Sequence, residues 1–317
     1  MILITGCAGY IGRALARALR ADGLAVRGID RDAAGLAELA DLGVDAITAD
    51  VTNRVVLRSA LQDVEVVFHL AGSPLGTPKE IVRGNVDAAQ AVAEECAGRS
   101  SLRALVFASS GALYPSGDAW LTEDVAPAPA FHYAYAKAEA ERVLLAAAAS
   151  QALPVLIARI AGVYGPHAPA LMIDQVRQGR FPLIGGGIGF ASYIHIEDTV
   201  AALRALAECG TPGQIYNLAD DRPVLICDFY AELARLLGGP PPRSFSPTLA
   251  RLILGVVTRL ARLRGRPLPL PPDLVDMAAV SHRMANRRMH AELGVSLRYP
   301  SYREGLPTCI PPNPHRR

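Results

Sequence analysis

Lysine is almost missing from this sequence: of the 32 basic residues among 317, only Lys79 and Lys137 are lysines. Arginine, always protonated, does a different chemistry, so a lysine kept against that bias points to a specific task. An excess of either charge is missing too, because 30 acidic residues leave a net charge of only +2. A near-neutral chain offers no basic field to a phosphate backbone, and no nucleic-acid partner is expected. Cys7, Cys96, Cys209, Cys227 and Cys309 are an odd, scattered set without a CxxC spacing. They indicate neither a disulfide framework nor a zinc site and fit a reducing cytoplasm. The seven histidines also lack ligand spacing, so no metal is expected and His195 is read as structural. Long apolar runs are missing: near the C-terminus the longest, Leu252 to Val257, is closed by Arg251 and Arg259. That is far short of the ~20 residues of a membrane span. Met1–Thr5 runs straight into glycines with no basic region before it, which is not the build of a signal peptide.

What is present is a chain 51% hydrophobic and 20% charged, long enough for one large α/β unit or a large domain with a smaller partner. Short apolar runs alternate with helical periodicity. Strands are expected over Ile2–Thr5, Ala25–Ile29, Asp45–Ile47, Val64–Leu70, Leu102–Ala108 and Pro154–Ile160. Continuous apolar strands separated by helices signal a parallel sheet covered on both faces, and right-handed crossovers make it doubly wound. The fold expected is therefore α/β, a doubly wound parallel sheet of Rossmann type with a smaller C-terminal substrate-binding region. Residues 1–165 read as the dinucleotide-binding core, 166–310 as the substrate-binding region with elements returning to the core, and 311–317 as a disordered tail. Within the second part, Gln214–Leu218 reads as a strand, Cys227–Leu237 as a helix and Pro247–Arg264 as a basic amphipathic helix. Such a helix could lie on a membrane, cover an apolar pocket or simply pack with its arginines solvated.

The glycine turn gives the first chemistry. After the Ile2–Thr5 run come Gly6, Gly9 and Gly12, and then a helix pattern through Leu19. In such a turn the first glycine permits the tight bend and the second lets the backbone approach a pyrophosphate. The third allows close helix packing, and the helix N-terminus offers N–H groups to phosphates. Asp30 follows Gly12 by 18 residues and closes the second strand. A carboxylate there accepts hydrogen bonds from an adenosine ribose and repels a 2′-phosphate, which favours NAD over NADP. Arg31 and Arg13 leave NADP open, because a guanidinium could pair with that phosphate.

Tyr133 and Lys137 stand at i and i+4 on one helical face. An ammonium beside a phenol favours the phenolate, bringing a group of ordinary pKa ~10 towards working pH, which suits a general acid/base acting on an alcohol or carbonyl. Tyr135 has no such partner and is expected to pack. Ser109 and Ser110 directly follow the fifth strand, at the carboxyl end where ligands sit in open α/β sheets.

Taken in order, these residues resemble the extended short-chain dehydrogenase/reductase superfamily, in its NAD-dependent epimerase/dehydratase branch. Thr5-Gly6-Cys7-Ala8-Gly9-Tyr10-Ile11-Gly12 resembles its TGxxGxxG loop, and Asp50-Val51 the pair beside the adenine. His69-Leu70-Ala71-Gly72 is similar to the segment lining the cofactor, and Asn85-Val86 to the start of the central helix. Ser110 falls at the family's catalytic Ser or Thr, and Tyr133 and Lys137 match YxxxK. Val163-Tyr164-Gly165-Pro166 and Ser192–Asp198 resemble segments around the substrate region. The resemblance implies that Tyr133 moves the hydroxyl proton, that Lys137 lowers its pKa and holds the nicotinamide ribose, and that Ser110 polarises the reacting oxygen. It implies cofactor contacts from Gly6, Gly9, Tyr10, Ile11, Gly12, Asp30, Arg31, Asp50, Val51, Leu70, Ala71, Gly72, Asn85, Tyr133 and Lys137. It also implies a homodimer through the helices over Asn85–Cys96 and Tyr133–Ala149.

Departures from the family narrow the chemistry. Dehydratases of this family carry an acidic pair where Gly111 and Ala112 stand here, so elimination of water is not expected. Gly162, and Ala191-Ser192, replace an Asn and an Arg-Asp pair that hold a sugar diphosphate, although Arg177, Arg180 or Arg222 could substitute. The apolar stretch Phe181–Phe190 points to a less charged substrate, with the pocket expected from Ala71–Pro78, Gly165–Arg180 and Gly187–Ser192. An NAD(P)-dependent oxidoreductase acting on a small-molecule alcohol or ketone is the reading preferred. A nucleotide-sugar epimerase with internally recycled NAD and a non-catalytic NAD(P)-binding sensor or scaffold are the alternatives.

Overall fold

Seven strands pair side by side in the computed structural model, which describes residues 1–168, 170–263 and 273–310; all but the exposed edge strand Asp45–Thr48 are largely buried. They are β1 (Ile2–Thr5), β2 (Val26–Asp30), β3 (Asp45–Thr48), β4 (Val66–His69), β5 (Ala104–Ser110), β6 (Val155–Ile160) and β7 (Ile215–Leu218). Their order across the sheet is β7-β6-β5-β4-β1-β2-β3, every pair parallel. The chain runs outward from β1 to β3 and then crosses back to β4, so the order reverses between β1 and β4. Thr5 pairs with His69 there, and the loops after both strands open into the crevice where such sheets bind ligands.

Alternate residues of each strand serve opposite faces. Ile4, Phe68, Val106 and Ala158 pack with Leu15 and Leu19 of helix α1 (Tyr10–Ala21) on one face. Leu3, Val67, Leu105, Phe107 and Ile157 pack with Val92 of α2 (Ala88–Cys96) and with Ala140 and Leu144 of α3 (His132–Gln151) on the other. Burial on both faces is why the strands read as unbroken apolar runs rather than alternating ones. The doubly wound parallel sheet is therefore the observed fold.

Three local expectations change. The fifth strand ends at Ser110 rather than Ala108, so both serines are strand residues and only the second reaches the strand's tip. Asn85 sits in a π-turn over Arg83–Asp87, ahead of α2, instead of starting a regular helix. Tyr135, expected to pack, is 59% exposed, because α3 turns it away from the face that carries Tyr133 and Lys137.

After β6 the chain builds small two-stranded ladders: Gly162–Tyr164 with Tyr193–His195, Phe190–Ala191 with Val224–Leu225, and Pro182–Ile184 with Arg243–Phe245. Between them run α4 (Ile196–Cys209), α5 (Ile226–Leu236) and α6 (Pro247–Leu263). The expected end of α6 at Arg264 and the expected disordered tail 311–317 lie outside the described residues. His195 caps α4 by accepting from the Glu197 N–H, and its Nε2 meets Thr308 Oγ1 at 2.9 Å. Burial pushes its pKa down to about 4, so it is a neutral cap, in line with the structural role expected. Asp198, also buried, accepts from the N–H groups of Arg298 and Tyr299 at 2.8 and 2.9 Å and clasps the C-terminal segment to α4. Asp198→Ala leaves both part-buried donors without this partner, at a cost of about 1–2 kcal/mol each. The urea unfolding midpoint is expected to drop by the equivalent of roughly 2–4 kcal/mol; an unchanged midpoint refutes the clasp.

Candidate active site

The turn after β1 is built to exclude side chains. Gly6 has φ +73°, and a Cβ there would sit 2.6 Å from the Ala71 amide nitrogen; at Gly12 it would sit 2.2 Å from the Gly6 carbonyl oxygen. Gly9 caps α1 with no side-chain acceptor, so the first-turn N–H groups are available to an anion. Two adjoining cavities of about 500 and 350 Å³ lie along this turn and share Gly6, Gly9, Leu70 and Gly72. Asp30, Arg31, Asp50, Val51 and Ala71 line the first; Tyr10, Ile11, Gly12, Ser110, Tyr133 and Lys137 line the second.

Asp30 is held by two backbone donors, Ala8 N–H to Oδ2 and Asp32 N–H to Oδ1, both at 3.0 Å. Arg13 does not face this cleft as an alternative phosphate partner. It donates to the Ala8 carbonyl and to Glu38 at 2.7 Å and lies 3.5 Å from Asp32, so two carboxylates already use its charge. Arg31 lines the cleft. Asn85 lines neither cavity: buried behind Gly72, it donates from Nδ2 to the Ser73 and Ile81 carbonyls. Its Oδ1 has no partner among the described residues and lies 2.6 Å from where a Gly72 Cβ would be, with Lys137 Nζ 3.1 Å from the same point. A glycine-walled cradle, a fixed carboxylate at the end of β2 and a buried lysine at the far end fit an extended dinucleotide.

Ser110 at the tip of β5 and Tyr133 and Lys137 in the first turns of α3 meet at that far end. Lys137 is buried, donates to the Ala108 carbonyl at 2.7 Å and stands 4.7 Å from the Phe107 ring centre and 5.9 Å from that of Tyr133. Burial brings its pKa down to about 8, opposed by the Glu141 carboxylate. Burial also pushes the Tyr133 phenol up to about 12, opposed by a hydrogen bond with Ser110. The expected lowering of the phenol by Lys137 is thus absent in the protein alone: taking the group out of water penalises the phenolate, and only the Ser110 hydrogen bond works against that. His69, stacked on Phe107 and hydrogen-bonded to Thr5 Oγ1 at 2.7 Å, is held neutral by burial, its pKa about 3.

Beneath this group lies a network that the motifs did not reveal. Glu141, one further turn along the buried face of α3, takes a two-pronged contact from Arg159 on β6, at 3.1 and 2.8 Å. Ser109 donates to the same carboxylate. The side chains of Arg159 and Glu141 are 2% and 4% exposed. The available signal was periodicity: Tyr133, Lys137 and Glu141 are four apart on one stripe.

On the substrate side a third cavity of about 310 Å³ continues from Ser110, Tyr133, Ile160 and Ala161. Phe181–Ile184, Phe190–Tyr193, Ile226, Tyr230 and the C-terminal Met277, Ala278, Val280, His282 and Met284 complete its wall. The expected loops contribute unequally. Ala71–Pro78 reaches the cofactor cleft, none of the described residues of Gly165–Arg180 lines any of the three cavities, and the wall also takes in residues from Ile226 onward, outside the expected loops. Among the described lining residues no side chain is Asp, Glu, Arg or Lys. Arg177, Arg180 and Arg222 do not line it, so they do not replace the missing clamp. Where the family has other side chains, neighbours fill the space: a Cβ at Gly111 would lie 2.4 Å from Met284 Sδ and one at Gly162 would lie 2.8 Å from the Tyr193 ring.

A family model described as the NAD dependent epimerase/dehydratase family matches residues 2–219. A 3-diazoavenalumate denitrifying reductase from a Streptomyces species is 30% identical, over 96% of this chain and 98% of that protein. A ketoreductase from Stigmatella aurantiaca, acting on a farnesylated 3-oxo-dihydroquinoline oxide, is 28% identical over 74% of this chain and 72% of its own. Among solved structures, MoeE5 in complex with UDP-glucuronic acid and NAD has a TM-score of 0.76 at 28% identity, covering 97% of each chain. A UDP-glucuronic acid 4-epimerase from Bacillus cereus has a TM-score of 0.78 at 22% identity, covering 97% of this chain and 96% of that one; at that identity the likeness speaks for the fold.

Breaking the buried pair by Glu141→Ala strands the Arg159 guanidinium and is expected to cost about 3–5 kcal/mol. The double variant Glu141→Leu/Arg159→Met removes both charges and is expected to recover much of that loss in a denaturant titration. A double variant no more stable than the single one refutes the coupling.

Proposed function

Because the chain belongs to the NAD-dependent epimerase/dehydratase family, we propose that it is an NAD-dependent oxidoreductase. It interconverts a ketone and an alcohol on a small, uncharged and mainly apolar substrate. One observation carries the reading: the cavity that opens at Ser110 and Tyr133 has no charged side chain among its described lining residues. A sugar diphosphate taken into such a wall would keep its charges out of water without a partner, which costs far more than shape complementarity returns. The two reductases described above support the same direction. The epimerase reading is second, and a sensor or scaffold without turnover is third.

Gly6, Gly9, Gly12 and the start of α1 would hold the pyrophosphate, with Asp30, Asp50 and Val51 around the adenosine and Leu70, Ala71, Gly72 and Lys137 along the nicotinamide half. Asp30, beside Asp32, disfavours a 2′-phosphate, so NAD is preferred to NADP. When bound, the nicotinamide supplies or accepts the hydride. Ser110 donates a hydrogen bond to the substrate oxygen and fixes its distance from Tyr133. The Tyr133 hydroxyl, protonated at neutral pH, gives its proton to that oxygen as the alcohol forms and takes it back in oxidation. The Lys137 ammonium stabilises the phenolate left behind, and the neutral cavity wall excludes water around it. Residues 1–165 serve as the cofactor-binding part and 166–310 as the substrate-binding part. The protein works as a homodimer through α2 and α3, where Tyr135 of α3 is 59% exposed, in the reducing cytoplasm that its five unpaired thiols suit.

The test is turnover of NADH with a panel of apolar aryl and alkyl ketones beside a panel of UDP- and dTDP-sugars. The expected result is oxidation of NADH, faster than of NADPH, with the ketones, and a loss of about 10²–10⁴-fold in Tyr133→Phe while NADH still binds. Conversion of a nucleotide sugar without net NADH loss overturns the proposal in favour of the epimerase.

The pH profile of ketone reduction gives a second test. Lys137 loses its charge as the pH rises through about 8, so the rate is expected to be level below that value and to fall above it. Tyr133, pushed up to about 12, stays protonated throughout. A kcat/KM level to pH 9.5 refutes the role of Lys137.

A further inference from the structure

Helix α6 carries a feature that neither the cofactor cleft nor the apolar cavity uses. Leu249, Leu252, Ile253, Val256, Val257 and Leu260 recur at i, i+3, i+4, i+7, i+8 and i+11, which makes one stripe along the helix. All six are exposed, from 38% at Val257 to 64% at Leu252. Single exposed hydrophobics are normal on a protein surface, but six on consecutive turns of one helix form a patch that needs a cover. The flank that meets the rest of the protein is a different one, where Ala250, Leu254 and Thr258 are only half-buried.

Charge identifies the cover. Pro247–Leu263 contains Arg251, Arg259 and Arg262 and no acidic residue, and the sequence continues with Arg264 and Arg266. Arg251 pairs with Asp276 at 2.9 Å. Arg259 flanks the stripe, about a quarter-turn from its centre, so a second copy laid stripe to stripe would meet a guanidinium at the edge of the contact with no acid on either helix to answer it. A surface of anionic phospholipid answers both parts at once, taking the apolar stripe among its acyl chains and the guanidiniums at its phosphates. The 17-residue helix is about 25 Å long, and among the described residues no helix is long and apolar enough to cross a membrane. It lies in the interface plane instead.

We propose that α6 docks the protein on an anionic lipid bilayer, with the Leu249–Leu260 stripe inserted at the headgroup boundary. The position suits the chemistry: Asp276, which holds Arg251, directly precedes Met277 and Ala278 in the wall of the apolar cavity. The docked helix therefore stands next to a segment of the cavity wall, where an apolar substrate would pass from the bilayer. That last clause rests on the proposed function; the docking itself does not.

The experiment is flotation of the purified full-length protein with vesicles of phosphatidylcholine alone and of phosphatidylcholine with 30 mol% phosphatidylglycerol, at 50 mM and 500 mM salt. The probe is the vesicle, so the outcome does not depend on whether the enzyme reduces ketones. The expected result is binding to the anionic vesicles that weakens at high salt. In Leu252→Glu/Val256→Glu the bound-to-free ratio is expected to fall at least tenfold, with the thermal unfolding midpoint and NADH binding unchanged. No binding to anionic vesicles at 50 mM salt overturns the proposal. So does equal binding of the variant, which puts the contact elsewhere, or equal binding to the neutral vesicles, which removes the anionic surface. A wild-type dimer that this double substitution converts to monomer also overturns it, in favour of a second copy as the cover.

Discussion

The buried contact between Glu141 and Arg159 fixes the geometry on which the site depends. Glu141 belongs to the helix that carries Tyr133 and Lys137, Arg159 to β6, and Ser109, which donates to the same carboxylate, to the strand whose tip is Ser110. Helix α3 otherwise meets the sheet mainly through alanines such as Ala140 and Ala147, small side chains that allow close approach but resist sliding poorly. A two-pronged guanidinium–carboxylate contact has one good geometry. It therefore sets the height of α3 against β5 and β6, and with it the distance between Ser110, Tyr133 and Lys137. Two desolvated charges are a poor way to gain stability and a good way to specify a position.

The same burial tunes the ionisable groups. Lys137 and His69 lose proton affinity and Tyr133 gains it, each because its charged form is taken out of water. Desolvation thus leaves a neutral phenol and a lysine close to its titration point on one cavity, with a neutral imidazole buried behind them against Phe107, a set poised to give a proton to an oxygen rather than to hold an anion. The cleft then divides by polarity. Around Asp30, Asp32, Asp50, Glu80, Arg31 and Arg83 it is charged and suited to a dinucleotide, and beyond Tyr133 no described lining residue carries a charge. One end holds a water-soluble cofactor while the other admits what water excludes.

How much of this was legible follows from the range of each interaction. The strands, the glycine turn, Asp30 and the i, i+4 pair Tyr133/Lys137 are local signals, and they were read to within a few residues. Ser110 is singled out only by the family resemblance, because the strand end alone leaves Ser109 and Ser110 equivalent. Tyr133 is told from Tyr135 by its lysine, but the exposure of Tyr135 within its own chain is not legible, because a helix face is assigned by what lies against it. Glu141 and Arg159 stayed hidden for the same reason. A glutamate near an arginine on a helix ordinarily means a solvated pair, as Glu139 and Arg142 are three residues apart here, and only the tertiary fold brings Arg159 from another strand. The sign of the Tyr133 shift was missed because the lysine was visible in the sequence and the depth of burial was not.

The substrate wall is the least local part, and this explains why family motifs alone do not assign a substrate. Gly111 and Gly162 read from sequence as mere losses of an acid and an amide. In the folded chain each missing side chain is occupied space: Met284, arriving with the C-terminal strand Arg283–Met284, fills one, and the Tyr193 ring, stacked 3.8 Å from Phe229, fills the other. Restoring an acid at Gly111 alone would drive it into Met284, and restoring an amide at Gly162 alone would drive it into Tyr193. The apolar character of the cavity is thus held by pairs of residues from distant elements. A change of substrate class has to move both members of a pair together, which confines easy drift to substrates of similar polarity.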